Sequence, residues 1–495
     1  GDSVGLDLAR QEDGESITIG VNILETLVGF KPGTTEIEPV LAEKWDISKD
    51  GLTYTFHLRK DVKFSDGTPF NADAVVLAVE RQWKKDHPLY AAGAPYKYWD
   101  AMAMDSIIKD VAKVDEMTVK FTLQHPNAPF LANVAMPFMA IGSPTALKAD
   151  TAGFDQKPIG TGPYVLDSWK KDDSMVLVAN PSYWGKKPEI NRVVVRVIPD
   201  NSVRALELKK GSIHLMDYPN PADVADLAKD PNIELLKQEG MNFAYMAFNM
   251  KKAPYDKLEV RQALTMAVNR QRLIDELYMG FGALAKNPYP PFMLGYNNSV
   301  GHPSYNPEEA KKLLDKAGVK NLKVALWAMP VARPYNPNAR KMAEFIQADF
   351  RKIGVDAEIV SYDWGTYLDK VGNGEHELVL MGWTGDNGDP DNFLFNLWSK
   401  DAAQTKPSQN YAFYMNDQVT QWMKDGQRQS DTPKRAEIYK KILAQMAKDR
   451  PFMPIAHSVS VVPMRKEVEG YRICPTGDRR FDLVKWRNRP NNAGM

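Results

Sequence analysis

From Gly240 onward the sequence alternates helical and strand periods, and that alternation leaves few architectures open. Leu258–Phe281 repeats Val260, Leu264, Ala267, Val268, Leu273 and Leu277 at helical spacing and predicts one long helix. Asn306-Pro-Glu-Glu-Ala opens a second helix with a cap, a first-turn proline and a Glu three residues after the cap; Ala317-Gly318 closes it. Asn338–Ile353, ending at Gly354, and Pro433–Lys448 predict two more. Strand-like runs fall between and around them: Phe243–Phe248, Leu322–Trp327, Ala357–Val360, Glu377–Met381, Phe452–Ile455 and Ser460–Met464, with Tyr367 at the end of a polar loop. Such a segment folds as an α/β unit, and open α/β sheets bind ligands outside the carboxyl ends of their strands.

Two of those strand ends carry charge. Glu377–Met381 opens into Gly382-Trp-Thr-Gly-Asp-Asn-Gly-Asp-Pro-Asp-Asn-Phe393. Gly382, Gly385 and Gly388 leave backbone approachable, and Asp386, Asp389 and Asp391 crowd the same loop. That suits the gripping of a cationic group; it suits equally a solvated turn whose Asp and Asn residues cap the next helix. Leu322–Trp327 leads into Met329-Pro-Val-Ala-Arg-Pro-Tyr-Asn-Pro337, a proline-stiffened loop carrying Arg333. If the two ends face each other, Asp386 can take an ammonium while Arg333 forks a carboxylate, which is recognition of a small zwitterion. The alternatives are two unrelated surface charges, or a salt bridge between them.

The first half reads differently. Ile17–Leu27 predicts a short helix. Leu52, Tyr54, Phe56 and Leu58 alternate with polar residues after the Lys49-Asp50-Gly51 turn; Asn71 caps a helix over Ala72–Trp83; Val114 and Met117–Leu123 form a hairpin around Asp115-Glu116. Residues 38–160 therefore predict a small α+β unit. Met175–Val178 is apolar throughout and Val193–Ile198 is apolar but for Arg196, and both predict strands buried on both faces; Asn201–Lys210, closed by Gly211, and Asn220–Lys229 predict helices.

At 495 residues the chain is long enough for two or more domains, and 63 basic residues balance 63 acidic ones, so bulk charge points to neither nucleic acid nor an anionic membrane. Its apolar stretches fall far short of the roughly 18 residues of a membrane span. No secretion signal opens the chain, which is expected of a cytoplasmic protein or one whose signal has been removed. Cys474 stands alone, so no internal disulfide forms, and the seven His include no pair spaced for a metal. Read as a calcium loop from Asp386, the acidic loop puts Gly388 and Pro390 where oxygen ligands are needed. No nucleophile elbow or P-loop pattern occurs, so a catalytic reading has no constellation to stand on.

Leu41-Ala-Glu-Lys-Trp45, Gly51-Leu-Thr-Tyr-Thr-Phe-His-Leu-Arg-Lys60, Phe64-Ser-Asp-Gly67, Asn71-Ala-Asp-Ala-Val75, Pro158-Ile-Gly-Thr-Gly-Pro-Tyr164 and Tyr183-Trp-Gly185 together resemble family 5 of the extracytoplasmic solute-binding proteins of ABC importers. Trp327–Arg340 and Gly382–Phe393 resemble the dipeptide-binding members. The resemblance implies an α/β, two-lobed periplasmic-binding-protein fold of the large three-domain type, with mixed sheets and a hinge. Lobe I would comprise 1–37, 161–241 and 458–495, with 38–160 inserted, and lobe II 242–457. It implies that Arg333 binds the peptide carboxylate and Asp386 the α-ammonium, and that Gly382, Trp383, Thr384 and Gly385 lie against the peptide backbone. Glu12, Asp13 and Gly14 would oppose them, and Tyr335, Trp383 and one of Tyr96 or Tyr98 would line side-chain pockets. It further implies a strand ahead of Gly1-Asp-Ser3. The expected protein is a monomeric, non-enzymatic dipeptide receptor without cofactor or metal. It would deliver to a membrane ABC permease from a periplasmic or extracytoplasmic location, free or lipid-anchored. The alternatives are another cargo on the same fold (a longer peptide, haem, 5-aminolevulinate, a metal chelate) or a peptidase using the cleft.

Overall fold

Helix caps and apolar periods place most elements in the computed structural model, which describes residues 2–488. Residue 1 and residues 489–495, the end of the expected C-terminal return, lie outside the described residues. The chain divides into two units. Unit 1 is Gly1–Pro219, Asp223–Leu236 and Val462–Met495; unit 2 is Asn220–Ala222 and Lys237–Val461.

Unit 1 opens with α1 (Gly14–Gly20), which starts three residues ahead of the expected Ile17–Leu27 and ends seven short of it. The reason is Asp13: extended, with its carboxylate accepting from Ser16 N at 2.9 Å, it starts the helix early. Four antiparallel strands follow, β1 (Ala42–Ile47), β2 (Thr53–Leu58), β3 (Ile108–Asp115) and β4 (Thr118–Leu123), in the order β1-β2-β4-β3. The alternation read from sequence becomes one buried face, Tyr54, Phe56 and Leu58 beside Val119, Phe121 and Leu123. Helix α2 (Ala72–Trp83), capped by Asn71, packs Val75, Ala78 and Val79 into the same core. A second sheet joins β5 (Tyr164–Lys170), β6 (Ser174–Ala179) and β7 (Arg192–Arg196) in that order. Here the expectation of two fully buried strands is corrected. Central β6 is buried over Met175–Leu177, but β7 is an edge whose residues alternate, with Val194 half exposed.

Unit 2 is built on a mixed seven-stranded sheet. Its strands are β8 (Ile233–Glu239), β9 (Asn242–Phe248), β10 (Gly282–Leu284), β11 (Lys323–Trp327), β12 (Asp356–Val360), β13 (Leu378–Thr384) and β14 (Phe452–Arg465), ordered β8-β14-β9-β13-β11-β12 with β10 on β14. Every residue of β9 is buried, as a central strand covered on both faces requires. The chain passes between the units within β8 and β14.

Three further expectations are corrected here. The long helix Leu258–Phe281 breaks: α3 (Leu258–Ala267) ends where Val268 turns extended, and Asn269 caps a new turn by accepting from Arg272 N at 3.1 Å. Asn269 N–H also donates to the buried Asp349 carboxylate at 2.9 Å, a distant partner that apolar periodicity cannot register. The two expected strands at 452–455 and 460–464 are one strand of 14 residues. Buried His457 and Ser458 interrupt the apolar pattern but not the strand, because Asn242 bonds both. Finally, Tyr367 lies inside a helix missed from sequence, α4 (Trp364–Gly372), capped by Asp363. Other helices of unit 2 include Pro307–Lys316, α5 (Ala339–Lys352), α6 (Asp391–Trp398), Asp417–Arg428 and, directly after it, α7 (Thr432–Asp449). Among the described residues no helix is long and apolar enough to cross a membrane.

Candidate functional site

β13 pairs with β9 along its whole length, from Phe248↔Leu378 to Asn242↔Thr384. On its other side, among the described residues, parallel β11 reaches only Leu378 and Val379. The next carbonyl, Leu380 O, accepts from Tyr367 OH at 3.0 Å. Beyond it β13 runs on without a neighbouring strand on that side. Gly385 N–H donates to Met241 O at 2.7 Å. Alternation along an antiparallel pair then turns residues 383 and 381 toward β9, and the N–H and C=O groups of Gly382 and Thr384 toward the open edge. The glycine is demanded by packing: a Cβ on Gly382 would sit 2.1 Å from Cδ2 of Tyr335.

Tyr335 is buried, with its backbone oxygen accepting from Tyr278 OH at 2.7 Å, so its ring forms part of the floor beside Gly382. It sits in the Arg333 loop, which leaves the end of β11, the parallel neighbour of β13. Arg333 and Asn336 exchange backbone hydrogen bonds of 2.9 Å, and Pro334 O accepts from Ser458 Oγ at 2.7 Å. The guanidinium of Arg333 lies 4.3 Å from the Trp364 ring centroid and forms no ion pair among the described residues. Trp364 stacks in turn on Tyr367. A cation over an aromatic face is positioned without being neutralised, so Arg333 keeps its charge and its fork for another group. A salt bridge between Arg333 and Asp386 is therefore not what fixes either residue.

The three acids of the loop have three different roles. Asp389 forks with Arg435 at 2.5 and 2.7 Å, both side chains largely buried, and ties the loop to α7. Asp391 is buried beside Asp389; burial, with that like charge second, pushes its carboxyl up to about 7, and Gln427 donates to it at 3.1 Å. Asp386 is half buried at the end of the strand. Asn392, 3 % exposed, orders this end of the loop. Its Oδ1 accepts from Trp383 Nε1 and Asp386 N–H, both at 3.0 Å, and its Nδ2 donates to Asp386 Oδ2 at 3.1 Å. Sequence reading passed over Asn392 and Trp364. The signal for Trp364 was the Asp363 cap; Asn392 looked like any loop asparagine.

The unit 1 residues are placed as follows. Glu12 pairs with Lys97, Asp13 caps α1, and Gly14 is exposed with open space where a Cβ would stand. Tyr96 is 2 % exposed and packs over Arg81, which forks Asp7 at 2.7 and 2.6 Å; Tyr98 stacks on Phe138. No group of three or more His, Cys, Asp or Glu that could hold a metal occurs among the described residues.

The chain matches the family model of bacterial extracellular solute-binding proteins, family 5 middle, over residues 36–405. It is 46% identical over 477 residues to the dipeptide-binding protein of Escherichia coli (strain K12), covering 94% of this chain and 89% of that protein. An ABC transporter-associated periplasmic binding protein from Helicobacter pylori, solved with peptide STSA, aligns with a TM-score of 0.89 and 41% identity, covering 98% of this chain and 96% of that one. A dipeptide-binding protein from Pseudoalteromonas sp. SM9913, solved with Met-Leu, aligns at 0.91 with 33% identity and 98% coverage of both chains.

Proposed function

Because the chain belongs to family 5 of the bacterial extracellular solute-binding proteins, a family of receptors with the two-lobed α/β fold of periplasmic binding proteins, we propose that it captures dipeptides and delivers them to an ABC permease. The observation that carries this reading is the edge of β13 that has no strand beside it among the described residues, with Gly382 and Thr384 turned to it, between the Arg333 guanidinium, which forms no ion pair among those residues, and the Asp386 carboxylate. A short peptide laid on that edge as an added strand would use its own backbone for affinity. Arg333 would fork its carboxylate, and Asp386 its ammonium. The lobes close on the ligand, so both peptide termini must be matched or their desolvation counts against binding. Glu12, Asp13 and Gly14 contribute from lobe I, with Tyr335 and one of Tyr96 and Tyr98 beside the side chains. The receptor works as an extracytoplasmic monomer and performs no catalysis on its cargo.

A second reading has one observation behind it: a 41% identical relative was solved with the four-residue peptide STSA. Denaturing the purified protein and identifying the released small molecules by mass spectrometry separates the two; stripped protein is then titrated with di-, tri- and tetrapeptides. A mixture of dipeptides, with dipeptides binding tightest, is the expected result. Peptides of three or more residues would favour the longer cargo, and a non-peptide species would overturn both readings. Hydrolysis of a dipeptide during incubation would sink the receptor assignment.

A further inference from the structure

Helix α7 ends at Asp449, and the next residue, Arg450, adopts the left-handed conformation at φ 51° and ψ 57°. Glycine takes that position at no steric cost, and a residue with a Cβ is disfavoured there. The arginine there has no evident structural partner to compensate. Its Nε and Nη1 are buried without a hydrogen bond, and among the described residues it forms no ion pair. The adjacent carboxylate is already taken: Asp449 accepts from Tyr414 OH, from Asn416 Nδ2 at 2.9 Å and from Gln445 Nε2 at 2.8 Å. Nearby, Arg270 reaches only backbone carbonyls, Pro454 O at 3.2 Å and Pro303 O at 3.5 Å. Burial and the like charge of Arg450 push the Arg270 guanidinium down to about 10. Half-buried His302 feels Arg270, Arg450 and Lys286 together. Two guanidinium groups thus lie close together, and among the described residues neither forms an ion pair.

That place opens on a pocket of about 260 Å³ walled by Arg450, Lys448, Ser299, Gly301 and Ala447, with no Asp or Glu in its lining. Basic residues at a helix C-terminus are ordinary, because they complement the helix dipole; this accounts for exposed Lys448. It does not account for two buried guanidinium nitrogens with no acceptor, each a desolvated donor left unmatched. From the pocket, the unmatched donors and the missing counter-charge, we propose a second binding site in unit 2, for a small oxyanion of the phosphate or sulfate class. Arg450 would be its inner charge and Lys448 its outer charge. Neither residue belongs to the Arg333–Asp386 site, so this site stands or falls independently of the cargo.

The test is a titration of the full chain in chloride buffer with inorganic phosphate, and in parallel with sulfate, at constant ionic strength. Unfolding temperature and calorimetry are read together. A saturable rise in Tm is expected, with binding at least tenfold weaker in Arg450→Gln, an intermediate loss in Lys448→Gln, and ligand binding at Arg333 and Asp386 unchanged in both. Equal responses in wild type and Arg450→Gln, or a response that matches chloride, would overturn the site. If Arg450→Gln does not fold, Gly301→Asp serves instead, since a Cβ there meets nothing within 4 Å and the carboxylate would stand on the pocket wall as an internal counter-ion. It should abolish the phosphate response; a retained response would refute the proposal.

Discussion

Arg333 and Asp386 are held by different means. Trp364 supports the guanidinium from below at 4.3 Å, while Asn392 bonds one oxygen of Asp386 at 3.1 Å. Arg333→Ala and Asp386→Ala should each weaken dipeptide binding by about 3 kcal/mol or more, since each would leave a buried ligand charge unmatched; calorimetry with a dipeptide reads this directly. Arg333→Lys should recover little, because an ammonium cannot fork a carboxylate. Asn392→Ala tests how far one buried amide organises the site. It removes the anchors of both the Trp383 indole and the Asp386 carboxylate. A loss of ~1–2 kcal/mol in affinity is expected, read in calorimetry on protein whose unfolding stays cooperative; unchanged affinity would reduce Asn392 to a loop tie. At this scale the sequence could name the loop but not sort its acids. Asp389 is spent on Arg435 and Asp391 on Gln427, partners in α7 and the helix before it that lie far along the chain. The same distance hid Trp364 from any local reading of the Arg333 loop.

β13 couples the two charged loops. Its glycine exists because the Tyr335 ring occupies the space of a side chain, and Tyr335 sits two residues after Arg333. Gly382→Ala would push that ring and, through the short 333–336 turn, the guanidinium. Overpacking of this kind costs about 1–3 kcal/mol of stability, and dipeptide affinity should fall more steeply than in a stability-matched core variant elsewhere in unit 2. Equal falls in the two variants would show that the ring and Arg333 move independently. Elements with local signals were legible: Asn71 before α2, Asn338 before α5 and the alternation in β2 and β4 all mark what forms. Those governed by distant partners were not. Asp349 helps split the helix at Asn269, and Asn242 carries β14 through His457 and Ser458. β7 was apolar enough to look central, yet it has a neighbour on one side only.

Across the whole molecule the buried titratable groups are unevenly shared. Unit 2 holds His302, His376 and His457, each pushed down to about 4, mainly by burial. A histidine lowered from 6.5 is neutral in the fold and charged in the unfolded chain between those values, so its contribution is lost as pH falls from 6.5 toward 4. Each amounts to roughly 3 kcal/mol at 1.36 kcal/mol per unit. Asp391 works in the opposite direction. Raised to about 7, it stabilises the fold below the ordinary carboxylate value, and that stabilisation is lost as pH rises toward 7. One carboxyl does not offset three imidazoles. In unit 1 the buried Glu25, raised to about 6 by desolvation against bonds from Trp184, Thr161 and Tyr183, also gains on acidification, while His87 and His214 are lowered by burial. Unit 2 should therefore be the acid-sensitive half. Amide hydrogen exchange between pH 6.5 and 4.5 should show protection falling first along β9, β13 and β14 while β2 and β4 hold. Asp391→Asn should steepen the fall by removing the opposing carboxyl, and His376→Gln should flatten it by about one proton. Protection falling first in β2 and β4 would place the acid-labile charge in unit 1. Because Arg333 and Asp386 both lie in unit 2, binding should be lost together with its protection, at a pH where unit 1 is still folded.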